Sequence, residues 1–217
     1  MSPREPALLN PPAGMSQPGN PTWEVAYLFP IQGEWDESEY LSLGTNWLVE
    51  FEDGRLEVLP MPTYAHQLIV DFVVDQLKAF LRKHGGGRVL FAPLPVRLRA
   101  GKFREPDIIY LSEHRRKSTG DYPDGADLVM EVVSDGSANR QRDMVTKRNE
   151  YADAGISEYW IIDPEQSAVT VLTLDGAAYR VHGTFVAGSL ATSVLLDGFR
   201  VAVGDVLAAA NDDCDHK

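Results

Sequence analysis

Two short segments constrain this chain more than anything else in it: PDIIYL at 106–111 and DLVMEVVS at 127–134. Each is an almost unbroken apolar run, the pattern of a strand covered on both faces. Each also carries a carboxylate that such a strand should not tolerate, Asp107 opening the first and Glu131 in the middle of the second. An ionised carboxylate in an apolar strand is costly unless it is paired or bound to a cation. Taken alone, either acid is better explained by a strand-end cap or an arginine partner. On neighbouring strands the two would repel each other, and a hard divalent ion with oxygen ligands relieves that repulsion. The pair therefore reads as a metal site, whose usual chemistry is to activate water and neutralise a phosphoryl group.

The rest of the chain supplies an α/β frame for these strands. Residues 1–22, rich in Pro, Gly, Ser and Asn, read as a disordered leader. One domain is expected over 23–208, followed by an acidic polar tail over 209–217. Asp36 with Glu39 signals a short helix near 37–42. WLVEF and RLEVL around Asp53-Gly54 signal a hairpin. Thr63 can cap a helix over 64–84. Its apolar stripe (Ile69, Val70, Val73, Val74, Leu77, Phe80, Leu81) has helical spacing, and Gly85-Gly86-Gly87 stops it. Strands are expected at 88–92, 94–99, 106–111 and 127–134. A helix is expected at 140–153, ended by Gly155. Then follow EYWIID, a Pro164 turn begun by Asp163, AVTVLTL, an Asp175-Gly176 turn and AYRVH. That order describes a mixed sheet flanked by helices.

Composition narrows the function. The chain has 217 residues, 44% of them hydrophobic, enough for one domain with a full core. No apolar run is long enough to span a bilayer, and no secretory signal is apparent. The single cysteine, Cys214, excludes an intrachain disulfide or a cysteine zinc site, so a cytoplasmic location is expected. A net charge of −12 argues against general nucleic-acid binding. The sign is uneven, however: residues 1–62 hold two basic and ten acidic residues, whereas 82–117 hold ten basic and three acidic, a local +7. A local cluster can bind phosphate on an anionic protein, so Arg97, Arg99, Lys102 and Arg104 are candidate contacts to a nucleic-acid backbone. The alternative is that these charges decorate exposed strands and loops.

EPDIIYL, DLVMEVVS and RDMVTKRNEYADAGISEYWIIDPE, with DGRLEVLPMP and a histidine ahead of the long helix, resemble the bacterial Uma-two family of candidate endonucleases, within the PD-(D/E)XK superfamily. The resemblance runs from about 36 to about 203. It implies a restriction-endonuclease-like fold with an N-terminal hairpin, and Mg²⁺- or Mn²⁺-dependent hydrolysis of nucleic acid, with DNA the expected substrate. Asp107 matches the acid of the PD element and Glu131 the acid of the second element. The carbonyl of Val132 would be a further ligand. The superfamily lysine should fall at 133, where this chain has Val133. Lys147 is the replacement candidate, since Asp143, Lys147 and Tyr151 recur every fourth residue on one helix face. A surface ion pair with Asp143 explains Lys147 equally well. His66 matches the family's histidine, with a structural role as the alternative. Glu57 is a possible additional acid, Gln67 a weaker candidate, and Ser134, Tyr159 and Trp160 read as structural. A homodimer is expected, because two sites related by a two-fold axis cut both strands of a duplex.

The main alternative is a catalytically inactive nuclease-fold protein that binds DNA or a protein. A hydrolase of small phosphorylated substrates lacks its phosphate loop, and no G-x-S-x-G signals a serine hydrolase. From the sequence, Glu131→Ala is expected to abolish metal-dependent cleavage and leave the fold intact. Unchanged cleavage of a nucleic acid by that variant would remove the site assignment.

Overall fold

The computed structural model describes residues 28–44, 47–118, 121–134 and 140–211. The expected leader, Cys214 and most of the expected tail lie outside these residues. The core is a six-stranded sheet in the order β10-β9-β8-β7-β6-β3. Its strands are β3 (Arg88–Phe91), β6 (Ile108–Leu111), β7 (Leu128–Val132), β8 (Glu158–Asp163), β9 (Ala168–Asp175) and β10 (Ala178–Val186). All neighbours are antiparallel except β7 and β8, which run parallel. A parallel pair needs a crossover between its strands. Here it includes the helix α4 (Lys147–Asp153), which packs on the sheet and later proves central.

Both faces of this sheet are covered, which is why β7 and β8 are apolar throughout. On one face lies α2 (Tyr64–His84), capped by the Thr63 hydroxyl, which accepts from the His66 N–H. Ile69, Val70, Val73, Val74 and Leu77 of α2 pack on Leu128, Met130, Val132 and Trp160. A small C-terminal unit extends the same layer: β11 (Leu190–Thr192), β12 (Arg200–Ala202) and α5 (Val203–Ala208). On the other face Tyr151, Ala152 and Ile156 pack on Val129, Val133, Tyr159 and Ile161. The residues of β7 thus alternate between two cores, as strand geometry requires.

The expected hairpin is β1 (Val49–Glu52) and β2 (Arg55–Val58), turning at Asp53 and Gly54, both at positive φ. It joins β5 (Lys102–Arg104) and β4 (Val96–Arg99) in a second sheet, ordered β2-β1-β5-β4. The short helix α1 (Glu37–Leu41) has the expected capping box between Asp36 and Glu39. Its Tyr40 packs with Val49, Phe51 and Phe103. A further helix, α3, spans Glu113–Ser118.

The helices α3 and α5 and the strands β11 and β12 add to the expected elements, and two others differ from expectation. The helix expected over 140–153 begins with a π-turn, Arg142–Thr146, before becoming α-helical at Lys147. The β5 strand has no hydrophobic signature because two of its three residues are basic, and both are buried. Among the described residues no helix is long and apolar enough to cross a membrane.

Gly87 shows how closely β3 enters the sheet. Its φ is +80°, and an added Cβ would lie 2.2 Å from the Leu111 carbonyl oxygen. Gly87→Ala should cost about 1–3 kcal/mol for the backbone conformation alone, more with the overlap, read as a lower urea midpoint. An unchanged midpoint would contradict this packing.

Candidate active site

The antiparallel register of β6 and β7 pairs Ile108 with Met130 and Ile109 with Val129. One residue further, Asp107 stands opposite Glu131. Opposed residues of an antiparallel pair share a face, here the one carrying Ile109, Val129 and Val133. Like charges so placed are destabilising, and the chain surrounds each with a different set of partners.

Asp107 Oδ2 accepts from the Val132 N–H at 2.8 Å and lies 3.2 Å from His66 Nε2. The histidine comes from the first turn of α2, where the Thr63 cap fixes the backbone. Glu131, 3% exposed, accepts from the Tyr151 hydroxyl at 2.6 Å. The same oxygen, Oε1, lies 2.9 Å from Lys147 Nζ. The ammonium is also 3.2 Å from Asp143 Oδ1. Lys147 therefore does pair with Asp143, but in the interior rather than at the surface. Val133, at the position of the expected lysine, is buried in the apolar layer.

His66, Asp107, Glu131, Val132, Asp143 and Lys147 border a cavity of about 70 Å³, together with Glu105, Arg142 and Ser134. Four carboxylates reach it: Glu105, Asp107, Glu131 and Asp143. Burial raises the Glu131 pKa; Lys147 opposes the rise, and Asp107 and Asp143 add to it. Burial likewise raises Asp143, again against the pull of Lys147. Burial works against the Lys147 ammonium, but Glu131 and Asp143 outweigh it and hold its pKa above that of a free lysine. For His66, burial is outweighed by the Asp107 carboxylate, which raises the imidazole pKa. Glu105 is pushed up to about 7 by burial and then by Glu50.

Among the described residues no group of three or more His, Cys, Asp or Glu side chains could hold a metal ion. What the cavity offers is narrower: two opposed carboxylates beside the Val132 main chain, all with hard oxygens. That donor set suits Mg²⁺, which is commonly held by one or two carboxylates plus substrate phosphates.

Other expected residues fall elsewhere. Glu57 does not border the cavity; its side chain is 61% exposed and pairs with Arg142 at 2.9 Å. Its cross-strand neighbour Glu50 is fully buried and pairs with Arg104 and Arg142. Gln67 is exposed and does not border the cavity. The basic segment is also revised. Arg97 pairs with Glu37, Arg99 with Asp53, Lys102 with Glu52 and Glu150, and Arg104 with Glu50, Glu52 and Glu150. The local +7 is thus largely neutralised by acids from distant parts of the chain. The sequence reading missed Arg142, Glu105 and Glu50. Glu50 carried the same signal as Glu131, a carboxylate inside an apolar strand.

A family model described as "Putative restriction endonuclease", Uma2, matches residues 35–204. The chain belongs to the Uma2 family. A crystal structure of "a putative nuclease belonging to DUF820" from Anabaena variabilis superposes with a TM-score of 0.67. The identity is 17%, covering 83% of this chain and 99% of that one. At that identity the likeness establishes the fold, restriction-endonuclease-like. No curated protein matches the chain. In this Uma2 chain the cavity lies beside β6, β7 and α4.

The geometry also corrects the expectation that Glu131→Ala leaves the fold intact, because it would strip Lys147 of its nearest counter-charge. Lys147→Met should cost about 3–5 kcal/mol in denaturant unfolding. Combining it with Glu131→Leu should cost less than Lys147→Met alone; a larger loss for the double variant would refute the buried pair. A second measurement tests Glu105. A carboxyl raised from 4.5 to about 7 binds its proton more tightly folded than unfolded. Its ionisation therefore removes stability as pH rises from about 4.5 to 7. Glu105→Gln should flatten that part of the Tm–pH profile, and an unaltered slope would refute it.

Proposed function

We propose that this Uma2 chain, through the domain at 23–208, hydrolyses phosphodiester bonds of nucleic acid, with DNA as substrate and a divalent cation as cofactor. The observation that carries this is the convergence of two opposed carboxylates and one buried ammonium on one cavity. Restriction-endonuclease-like families generally use divalent metals. Asp107, Glu131 and the Val132 carbonyl would hold Mg²⁺ or Mn²⁺. Bound there, the cation would supply Lewis acidity toward a phosphoryl oxygen and lower the pKa of a water.

The protein's own groups do the rest. Lys147 presents a positive charge where negative charge develops on the phosphoryl group, and its position is fixed before substrate arrives. Asp143 and Glu131 hold that charge in place from two sides. Tyr151 fixes the Glu131 carboxylate, and His66 together with the Val132 N–H fixes Asp107. The surrounding apolar layers keep bulk water away from these charges, which strengthens each interaction. All of these residues come from one chain, so the proposal does not depend on the expected homodimer.

A second reading, a catalytically inactive binding protein, draws support from Val133 and from the closed ion pairs of Lys147. Cleavage separates the two. The wild type should cut DNA in Mg²⁺ or Mn²⁺ and not in EDTA. Asp107→Asn and Glu131→Gln should abolish cutting, and Lys147→Met should lower kcat by about 10²–10³-fold. A correctly folded wild type that cuts no nucleic acid in either metal would leave the binding reading.

A further inference from the structure

Lys147 is not the only permanent cation at the carboxylate cavity; Arg142 borders it as well. The π-turn brings the two together. The Lys147 N–H donates to the Arg142 carbonyl, five residues back. In an α-helix, residues five apart stand about 140° apart around the axis. Here both side chains reach one cavity.

The two cations are held very differently. Lys147 lies between Glu131 and Asp143, and all three side chains are buried. Arg142 donates from Nη2 to Glu50 and from Nη1 to Glu57, the latter at 2.9 Å. Glu50 is fully buried, whereas Glu57 is exposed on β2, the edge strand of its sheet. Breaking a buried pair leaves an uncompensated charge in the interior. An exposed pair contributes little, because water takes up the released carboxylate. One arm of the guanidinium is therefore fixed and the other is replaceable. Its planar fork matches phosphate as well as it matches carboxylate. A phosphodiester arriving at the cavity thus meets an arginine whose outer partner is an anion that can leave.

We infer that Arg142 is a phosphate-binding residue of this site and that Glu57 is a stand-in carboxylate, displaced from Nη1 by the substrate phosphate while Glu50 keeps hold of Nη2. The presence of a phosphodiester at the cavity rests on the proposed function. Glu57 then acts by competition: it keeps the guanidinium paired in the free protein and weakens substrate binding by the strength of its own ion pair.

The probe is a short fluorescein-labelled DNA duplex, titrated with the protein in Ca²⁺ and followed by anisotropy over a range of salt. Glu57→Gln removes the ion pair but leaves an acceptor, so it should bind about two- to fivefold more tightly than the wild type, with an unchanged circular dichroism spectrum. Arg142→Lys keeps a charge for Glu50 but loses the fork. It should bind about ten- to a hundredfold more weakly, and its slope of log affinity against log salt should be shallower by about 0.9. On that background Glu57→Gln should have no effect. Binding by Glu57→Gln equal to or weaker than that of the wild type would overturn the inference, whether or not Arg142→Lys folds. So would the same tightening on the Arg142→Lys background, which would make Glu57 a general repulsion. No binding by the wild type or Glu57→Gln would overturn this inference and the proposed substrate together. Tightening in Glu57→Gln without cutting in Mg²⁺ would keep the phosphate site and remove the hydrolase reading. Cutting in Mg²⁺ with a KM unmoved by Glu57→Gln would do the reverse.

Discussion

The structure turns on a single ammonium group held out of water between two carboxylates. Asp107 and Glu131 face each other across β6 and β7 because the apolar pattern fixes the register, and a one-residue slip would move every core side chain to the wrong face. The register therefore imposes a repulsion that must be met locally. Lys147 meets it from α4, and α4 is placed by the parallel crossover between β7 and β8. A parallel pair in an otherwise antiparallel sheet is thus what brings a helix over Glu131. Lys147 from that helix works against the burial that raises the Glu131 pKa.

A second tier of charges ties the hairpin sheet to this centre. Glu50 and Glu57 oppose each other on β1 and β2, and Arg142 bridges them from the π-turn. Arg104 and Lys102 of β5 join Glu50, Glu52 and Glu150, the last from α4. The π-turn thus sends Arg142 to the hairpin while Asp143, the next residue, turns to Lys147. Insertions of this kind in helices recur at functional sites. Buried pairs of this sort are weak evidence for stability in themselves. Their consequence is geometric: breaking any one leaves an uncompensated charge, so the hairpin, β5 and α4 are held in one arrangement.

Much of this frame is legible in the sequence because the signals are local. Thr63, the α2 stripe and Gly85 delimit the long helix; Asp53-Gly54 sets the hairpin; two isolated acids in apolar strands mark the site. Lys147 was accessible through its spacing with Asp143 and Tyr151, once Val133 had ruled out the usual position. What was not legible depends on partners far apart in the chain. Arg104 reads as a surface cation until Glu50, Glu52 and Glu150 are folded against it, and β5 reads as a loop for the same reason. Counting charge along 82–117 gives a basic segment; in space, Arg97, Arg99, Lys102 and Arg104 of that segment are matched by acids from elsewhere in the chain. The π-turn has no periodic signature, since one extra residue per turn resembles ordinary helical spacing over so short a span.

That difference between linear and spatial charge bears on how an acidic protein can act on a polyanion. A surface with its cations internally engaged gains little from counterion release, which dominates duplex affinity. It also repels phosphates that arrive without a compensating cation. Such a site favours a metal that lowers the charge of the carboxylates. His66 meets Asp107 through Nε2 from the first turn of α2, so the Thr63 cap that fixes that turn also sets where the imidazole stands against the carboxylate a metal would use.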